Sequence, residues 1–274
     1  MEPFFKKIYK HFFKAFLLYS ANRKYVRAPA VFESIVSADS AKLFVFVVAF
    51  NDVELVGLQN RALKKYMDDP YEYLVVDNSS KEDRSKKIKA YCLTNNLSYV
   101  RLPKNPGMDG SLSNGFALNW IYANLVQRFK PRSFGFMDHD LMPVEKISIE
   151  DHFSLGDSWG IISYHRTFHN LWLARFSWWA GCAFFHSAYF DSKGTPNFLP
   201  GWGMDTGGRV ALDPKVVLRL PEIYGHPPVP TIEIAPDIGL YRCGKFIHFA
   251  GASDELAGLV QQKQWMERLL GSEE

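Results

Sequence analysis

The chain is predicted to fold as an α/β domain with a mostly parallel central sheet flanked by helices, preceded by an amphipathic helix. Three observations predict this. Apolar runs of strand length alternate with helical patterns over residues 43–140. Those runs, LFVFVVAF above all, are apolar without alternation, as strands buried on both faces are. Polar and acidic clusters follow two of them directly, and ligands of open parallel sheets bind beyond the carboxyl ends of strands.

The elements follow in chain order. Phe4, Phe5, Ile8, Phe12, Ala15 and Phe16 recur at helical spacing, with Lys6, Lys10 and Lys14 on another face. Residues 1–27 therefore read as a basic amphipathic helix suited to the plane of an anionic membrane surface, the alternative being a helix that packs on its own domain or on a partner. Residues 28–41, with Pro29 and a Ser/Ala-rich stretch, read as a linker to the main domain, 42–274. Leu43–Phe50 is the first buried strand. Asp52 caps a helix running to about Met67, whose apolar positions are Val53, Leu55, Val56, Leu63 and Tyr66. Asp68-Asp69-Pro70 ends that helix. Tyr71–Val76 is a second strand, closing on Asp77-Asn78-Ser79-Ser80. A charged helix is expected over Glu82–Asn95, a short strand over Ser98–Leu102 and a further helix over Ser113–Phe129. Phe134–Met137 is a fourth short strand, followed at once by Asp138-His139-Asp140. In the second half, residues 159–202 hold 13 of the 42 aromatic residues, which marks a specialised region. Strands are expected at Trp159–Tyr164 and Trp179–His186, and full or partial helices at Gly201–Leu212 and Asp254–Leu270. No repeat divides the chain, so one continuous domain is expected.

Composition narrows the function. Hydrophobic residues at 47% and charged residues at 22% exclude collagen-like, disordered and disulfide-scaffold chains. Cys92, Cys182 and Cys243 are an odd number, widely spaced, without a C-x-x-C pair, and fit a reducing compartment. No run of 18 apolar residues is present. Residues 1–27 hold seven Lys or Arg and one acid, while the remainder is slightly acidic, so the body lacks the charge of a nucleic-acid-binding surface.

The chemistry centres on Asp138-x-Asp140. Two carboxylates at a strand end can hold a hard divalent cation and leave positions for phosphate oxygens and water. Among the aromatics, Trp172, Phe176, Trp178, Trp179 and Trp202 are candidates to stack on the faces of an acceptor sugar, with core and rim packing as the alternative, the preferred one for Trp179. No G-x-G-x-x-G, Walker loop, H-E-x-x-H or G-x-S-x-G is present.

At this point the sequence resembles the family 2 type of glycosyltransferase, with the GT-A nucleotide-diphospho-sugar fold, over roughly residues 43–253. The pieces stand in the family's order: VFVVAFND, VVDNSSKED, LPKNPGMDGSLSNGFALNW, FGFMDHD, GWGMDTGGRV and IHFAGAS. The resemblance implies a nucleotide-binding half, 42–140, and an acceptor half, 141–274. It implies that Asp77, Asn78, Phe50 and Asn51 form the nucleotide pocket and that Asp83 is the second acid of that motif. It implies that Asp138 meets the ribose or sugar, and that Asp138, Asp140 and His248 hold Mn²⁺ or Mg²⁺. It makes Asp205 the general base and lets Arg209 contact the diphosphate or acceptor. Met204 stands where the family usually has Glu. His139, between the two carboxylates, either ligates metal or points into the fold.

The implied activity is a metal-dependent, inverting sugar transfer from a nucleotide-diphospho-sugar donor to a glycan or lipid-linked acceptor, in surface polysaccharide assembly. Together with the basic N-terminal segment, this places the protein in the cytoplasm, peripherally attached to the inner face of a membrane. Two alternatives are a nucleotidyltransferase, though Phe50–Glu54 offers no basic triphosphate loop, and an inactive GT-A-like sugar-binding or scaffold protein.

Overall fold

The computed structural model describes residues 17–107, 109–153, 157–165, 175–191, 194–201, 206–210, 232–235, 240–249 and 259–271. The central sheet has seven strands, in the order β1-β4-β3-β2-β5-β8-β7. They are β1 (Phe32–Ser34), β2 (Leu43–Ala49), β3 (Tyr71–Asp77), β4 (Ser98–Arg101), β5 (Ser133–Asp138), β7 (Ser158–His165) and β8 (Arg175–His186). β4, β3, β2 and β5 run parallel, while β1 and the β7–β8 pair are antiparallel additions at the two ends. A second, antiparallel sheet joins β6 (Leu141–Pro143) to β11 (Phe246–Phe249), β10 (Leu240–Cys243) and β9 (Ile232–Ala235). The α/β architecture with a mostly parallel sheet between helices is the one the sequence predicts.

β2 shows why. All seven of its residues are buried. Phe44, Phe46 and Val48 pack on one face with Phe116 and Trp120 of α4 (Gly110–Ile121). Leu43, Val45, Val47 and Ala49 pack on the other with Val56 and Leu63 of α2 (Val53–Tyr66) and with Ile88 and Cys92 of α3 (Glu82–Thr94). A strand covered by helices on both sides needs apolar residues at every position. Asp52 caps α2 as expected, accepting from the Glu54 and Leu55 N–H groups. α4 begins three residues before the expected start, because Asp109 caps it through the Leu112 N–H. A π turn, Tyr122–Val126, carries α4 on to a last turn, Gln127–Phe129.

Two boundaries change. Residues 28–41 are not a plain linker, since β1 pairs with β4, Phe32 against Arg101 and Ser34 against Tyr99. Residues 17–26, the end of the expected surface helix, form a helix α1 docked on the domain. Tyr25 is buried and meets Phe116 edge-on at 5.7 Å, and Leu18 and Ala21 pack on the same core. Asn124 of the following π turn and Trp120 of α4 donate to the Val26 and Ala28 carbonyls. Leu17, Tyr19, Arg23, Lys24 and Arg27 face outward. Residues 1–16 lie outside the described residues. So does most of Gly201–Leu212, of which residues 206–209 form turns rather than helix. Within Asp254–Leu270, the described helix is α5, Leu259–Gly271.

Candidate active site

The parallel strands end level with one another: Ala49 pairs with Asp77, and Val48 pairs with Asp138. Beyond these ends lies a cavity of about 790 Å³. One wall is Phe50, Asn78, Ser79 and Ser80, the floor is Asp138, His139 and Asp140, and the far side carries Trp179, Gly181 and Thr206.

The first wall is built by side chains that tie strand ends together. Asn51 adopts the left-handed conformation (φ 55°), which asparagine tolerates better than most residues. Its N–H donates to Ser79 Oγ at 2.8 Å, its Nδ2 donates to Ser80 Oγ at 3.0 Å, and its Oδ1 accepts the Lys81 N–H at 3.1 Å. Asn51 is thus a clasp behind the wall. Asp77 is also set back. Its carboxylate is wholly buried and accepts from the Ser79 N–H (2.8 Å), the Ser85 hydroxyl (2.5 Å) and the Tyr99 hydroxyl (2.7 Å), with Arg101 at 3.2 Å. Four donors saturate the carboxylate, and neither Asp77 nor Asn51 lines the cavity. Burial pushes the Cys92 thiol up to about 12, and the Asp77 charge adds to it.

Asn78 does line the cavity. Its N–H donates to the Ala49 carbonyl at 2.9 Å, its Nδ2 donates to Ser113 Oγ at 3.0 Å, and its Oδ1 accepts from Asn105 at 2.9 Å. Asn105 in turn accepts the Gly107 N–H at 2.9 Å. A Cβ at Gly107 would stand 2.4 Å from the Ser113 nitrogen, so only glycine closes this loop. Phe50 and Arg101 line the cavity too.

The floor depends on a residue that sequence reasoning missed. Gln59 is fully buried on α2 and donates to the Asp138 carbonyl (2.8 Å) and the Leu141 carbonyl (2.6 Å), while accepting from Tyr73 OH (3.0 Å). It clasps both ends of the acidic turn. A glutamine among the apolar positions of α2 was the available signal. Asp138 Oδ1 accepts from Asn114 Nδ2 at 3.1 Å, and a Cβ at Gly181 would come within 2.4 Å of Asp138 Oδ2.

Asp140 turns the other way, toward β11, where the Phe249 N–H donates to its carbonyl at 2.9 Å. The residue is 7% exposed, and Oδ1 is buried without a hydrogen-bond partner, 3.8 Å from His248 Nε2. An orphaned carboxylate oxygen facing an imidazole nitrogen fits a small divalent cation. Asp138 does not join them, and among the described residues no group of three His, Cys, Asp or Glu stands close enough to hold a metal. Of the expected trio, Asp140 and His248 stand together, and a cation between them would leave positions for phosphate oxygens and water. His139 is buried, and its Nε2 has no hydrogen-bond partner.

The other expected residues separate. Arg209 is exposed, donates to the Pro200 carbonyl at 3.0 Å and does not line the cavity. Asp83 lies in the first turn of α3, beside Arg84, and is not on the wall either. Asp205, Met204 and Trp202 lie outside the described residues. The next residue, Thr206, lines the cavity and donates to the Ser111 carbonyl at 2.8 Å. Trp179 is half-buried, lines the cavity and meets the His248 ring edge-on at 4.9 Å.

No protein-family model matches the chain, and no curated protein does. Among solved structures, it is similar to the mannosyltransferase PcManGT from Pyrobaculum calidifontis, in complex with GDP-Man and Mn²⁺ (15% identity, TM-score 0.40, 72% of this chain). It is also similar to the glycosyltransferase GlyE of Streptococcus pneumoniae (12% identity, TM-score 0.33, 57% of this chain). A third is a mannosyltransferase from S. cerevisiae (8% identity, TM-score 0.41, 65% of this chain and 67% of that one). The chain spans 59% of the length of PcManGT and 36% of that of GlyE.

Proposed function

We propose that this protein is a glycosyltransferase of the GT-A type, moving a sugar from a nucleotide-diphospho-sugar to a glycan or lipid-linked acceptor with inversion. The observation that carries the reading is the unpartnered Asp140 oxygen facing His248, on the floor of a cavity whose wall is the Asn78–Ser80 strand end.

Phe50 and Asn78–Ser80 bind the nucleoside, held in register by Asp77 and Asn51 behind them. Asp138 accepts hydrogen bonds from ribose or sugar hydroxyls. Asp140 and His248 would hold Mn²⁺ or Mg²⁺, which when bound offsets the charge that develops on the diphosphate leaving group. Asp205 takes the proton of the attacking acceptor hydroxyl, a contribution of about 10²- to 10⁴-fold for a well-placed base. The acceptor oxygen forms the new bond to the anomeric carbon as the bond to the β-phosphate oxygen breaks. That bond's electron pair leaves with the nucleoside diphosphate. A single displacement inverts the anomeric centre.

Thermal-shift titration with UDP, GDP and dTDP sugars, with and without Mn²⁺, tests this. One donor should stabilise the protein in a Mn²⁺-dependent way, by about 2.7 kcal/mol at a hundredfold excess over Kd. Asp140→Asn should abolish that shift. Asp205→Asn should keep the shift and lose turnover. Stabilisation of wild type without turnover on any acceptor would instead favour a binding protein, and no shift at all would remove the donor assignment.

The basic segment supports attachment to an anionic, cytoplasmic membrane surface, as a lipid-linked acceptor requires. Among the described residues no helix is long and apolar enough to cross a membrane. α1 keeps Arg23, Lys24 and Arg27 outward while its other face is docked. Deleting residues 1–16 leaves α1 in place. Co-sedimentation with phosphatidylserine vesicles should then fall while donor binding persists; undiminished sedimentation of the deletion would refute attachment through residues 1–16, and a full chain that does not sediment would refute attachment altogether.

A further inference from the structure

We propose that Trp179 is the platform on which the transferred sugar of the donor lies, with Asp138 and Asn114 meeting its hydroxyls. This rests on the nucleotide-sugar reading of the site and adds which side chains receive the sugar ring.

Trp178 and Trp179 are neighbours on β8 and have opposite fates. Trp178 is buried, whereas Trp179 is half-buried and lines the cavity. The Trp179 and His248 rings meet at 4.9 Å between centroids and 72° between planes. The indole therefore stands beside the Asp140–His248 pair, next to the position a diphosphate would take.

Gly181 lies two residues on, on the same side of the strand. A Cβ there would be 2.7 Å from the indole carbons Cε2 and Cζ2 and 2.4 Å from Asp138 Oδ2. The indole and the carboxylate thus share the space above one bare stretch of backbone, and a side chain at 181 would displace both. Asn114 adds a carboxamide: its Nδ2 donates to Asp138 Oδ1 at 3.1 Å, and its own Oδ1 is buried without a hydrogen-bond partner.

The result is an apolar plane bordered by acceptor oxygens. A pyranose has the complementary surface, an apolar C–H face and a rim of hydroxyl donors. A nucleobase also stacks on indole, but the wall at Asn78–Ser80 offers it polar contacts away from Trp179, and the experiment separates the two.

The full-length chain with Mn²⁺ is titrated calorimetrically with UDP, GDP and dTDP and with UDP-glucose, GDP-mannose and dTDP-glucose. In wild type, one sugar conjugate should bind tighter than its parent nucleotide. Trp179→Ala should weaken that conjugate roughly tenfold and leave the nucleotide within about twofold, while Trp179→Phe keeps most of the difference. Trp179→Leu, which fills the space without an aromatic plane, should behave as Trp179→Ala and guards against a folding defect. Equal weakening of nucleotide and conjugate overturns the platform. So does a wild type that gains nothing from any of the three sugars. Wild type that binds no nucleotide at all overturns the nucleotide-sugar reading itself, and the platform with it.

Discussion

Asp77 and Gln59 do their work one step behind the cavity. Asp77 is wholly buried, with Arg101 as its counter-charge. Asp77→Asn leaves the guanidinium uncompensated and turns one acceptor into a donor facing other donors. The expected loss is about 3–5 kcal/mol in urea unfolding, the usual cost of halving a buried pair. Gln59→Leu strips the Asp138 and Leu141 carbonyls of their donor. It should cost about 1–3 kcal/mol and lower donor affinity, because the acidic turn loses its clasp. The thiols give a check on burial. Cys92 is raised to about 12 and Cys182 is raised further, both chiefly by burial, and the thiolate is the reactive form. Cys92 and Cys182 should resist iodoacetamide in the folded protein and react once denatured, as mass spectrometry will show. At this scale the sequence was partly legible. The strand-end positions of Asn78 and Asp138 followed from the apolar runs before them. The retreat of Asp77 did not, because it depends on Ser85, Tyr99 and Arg101 arriving from two other elements.

Elements differ in how much of their cause is local. β2, β3 and α2 carry their whole signal in their own residues: unbroken apolar runs, or an Asp cap and periodic apolar positions. Asp52→Ala should cost about 1 kcal/mol through the cap. The loss should be compounded because Lys263 of α5 donates to Asp52 Oδ2 at 2.6 Å. The second sheet was not legible, since β6 and β11 are over a hundred residues apart and β6 is only three residues long. The short helix Ile149–His152 gives a pH test. His152 stacks on Trp159 at 4.6 Å, and burial, helped by the Lys245 charge, holds its pKa below the ordinary value. The folded state therefore prefers the neutral ring. The stability this contributes is present above the unfolded pKa of about 6.5 and is lost as pH falls through the lower folded value. The urea midpoint should drop as pH is lowered from about 7, and His152→Gln should flatten that slope.

For the whole molecule, the charge partition and the docking of α1 belong together. The positive charge lies in residues 1–27, and the last part of that stretch is anchored to α4. Tyr25 OH also reaches the Pro103 carbonyl at 3.5 Å, which ties α1 to the loop beside the cavity. The periodic positions Phe4–Phe16 lie outside the described residues, and the docking of α1 depends on Asn119 and Trp120 of α4 and on Asn124 of the π turn.

β1 has a consequence for life in a crowded solution. Without it, β4 would be the last strand of a parallel sheet, with an open row of N–H and C=O groups. Such a row invites strands from other molecules. β1 covers it and offers only three residues in exchange, with exposed Glu33 at its centre and Arg128 paired to that carboxylate. On this reading β1 should keep copies apart. Pro substitutions at Phe32 and Ser34 should leave the circular dichroism spectrum almost unchanged and shorten the time to visible aggregation on warming.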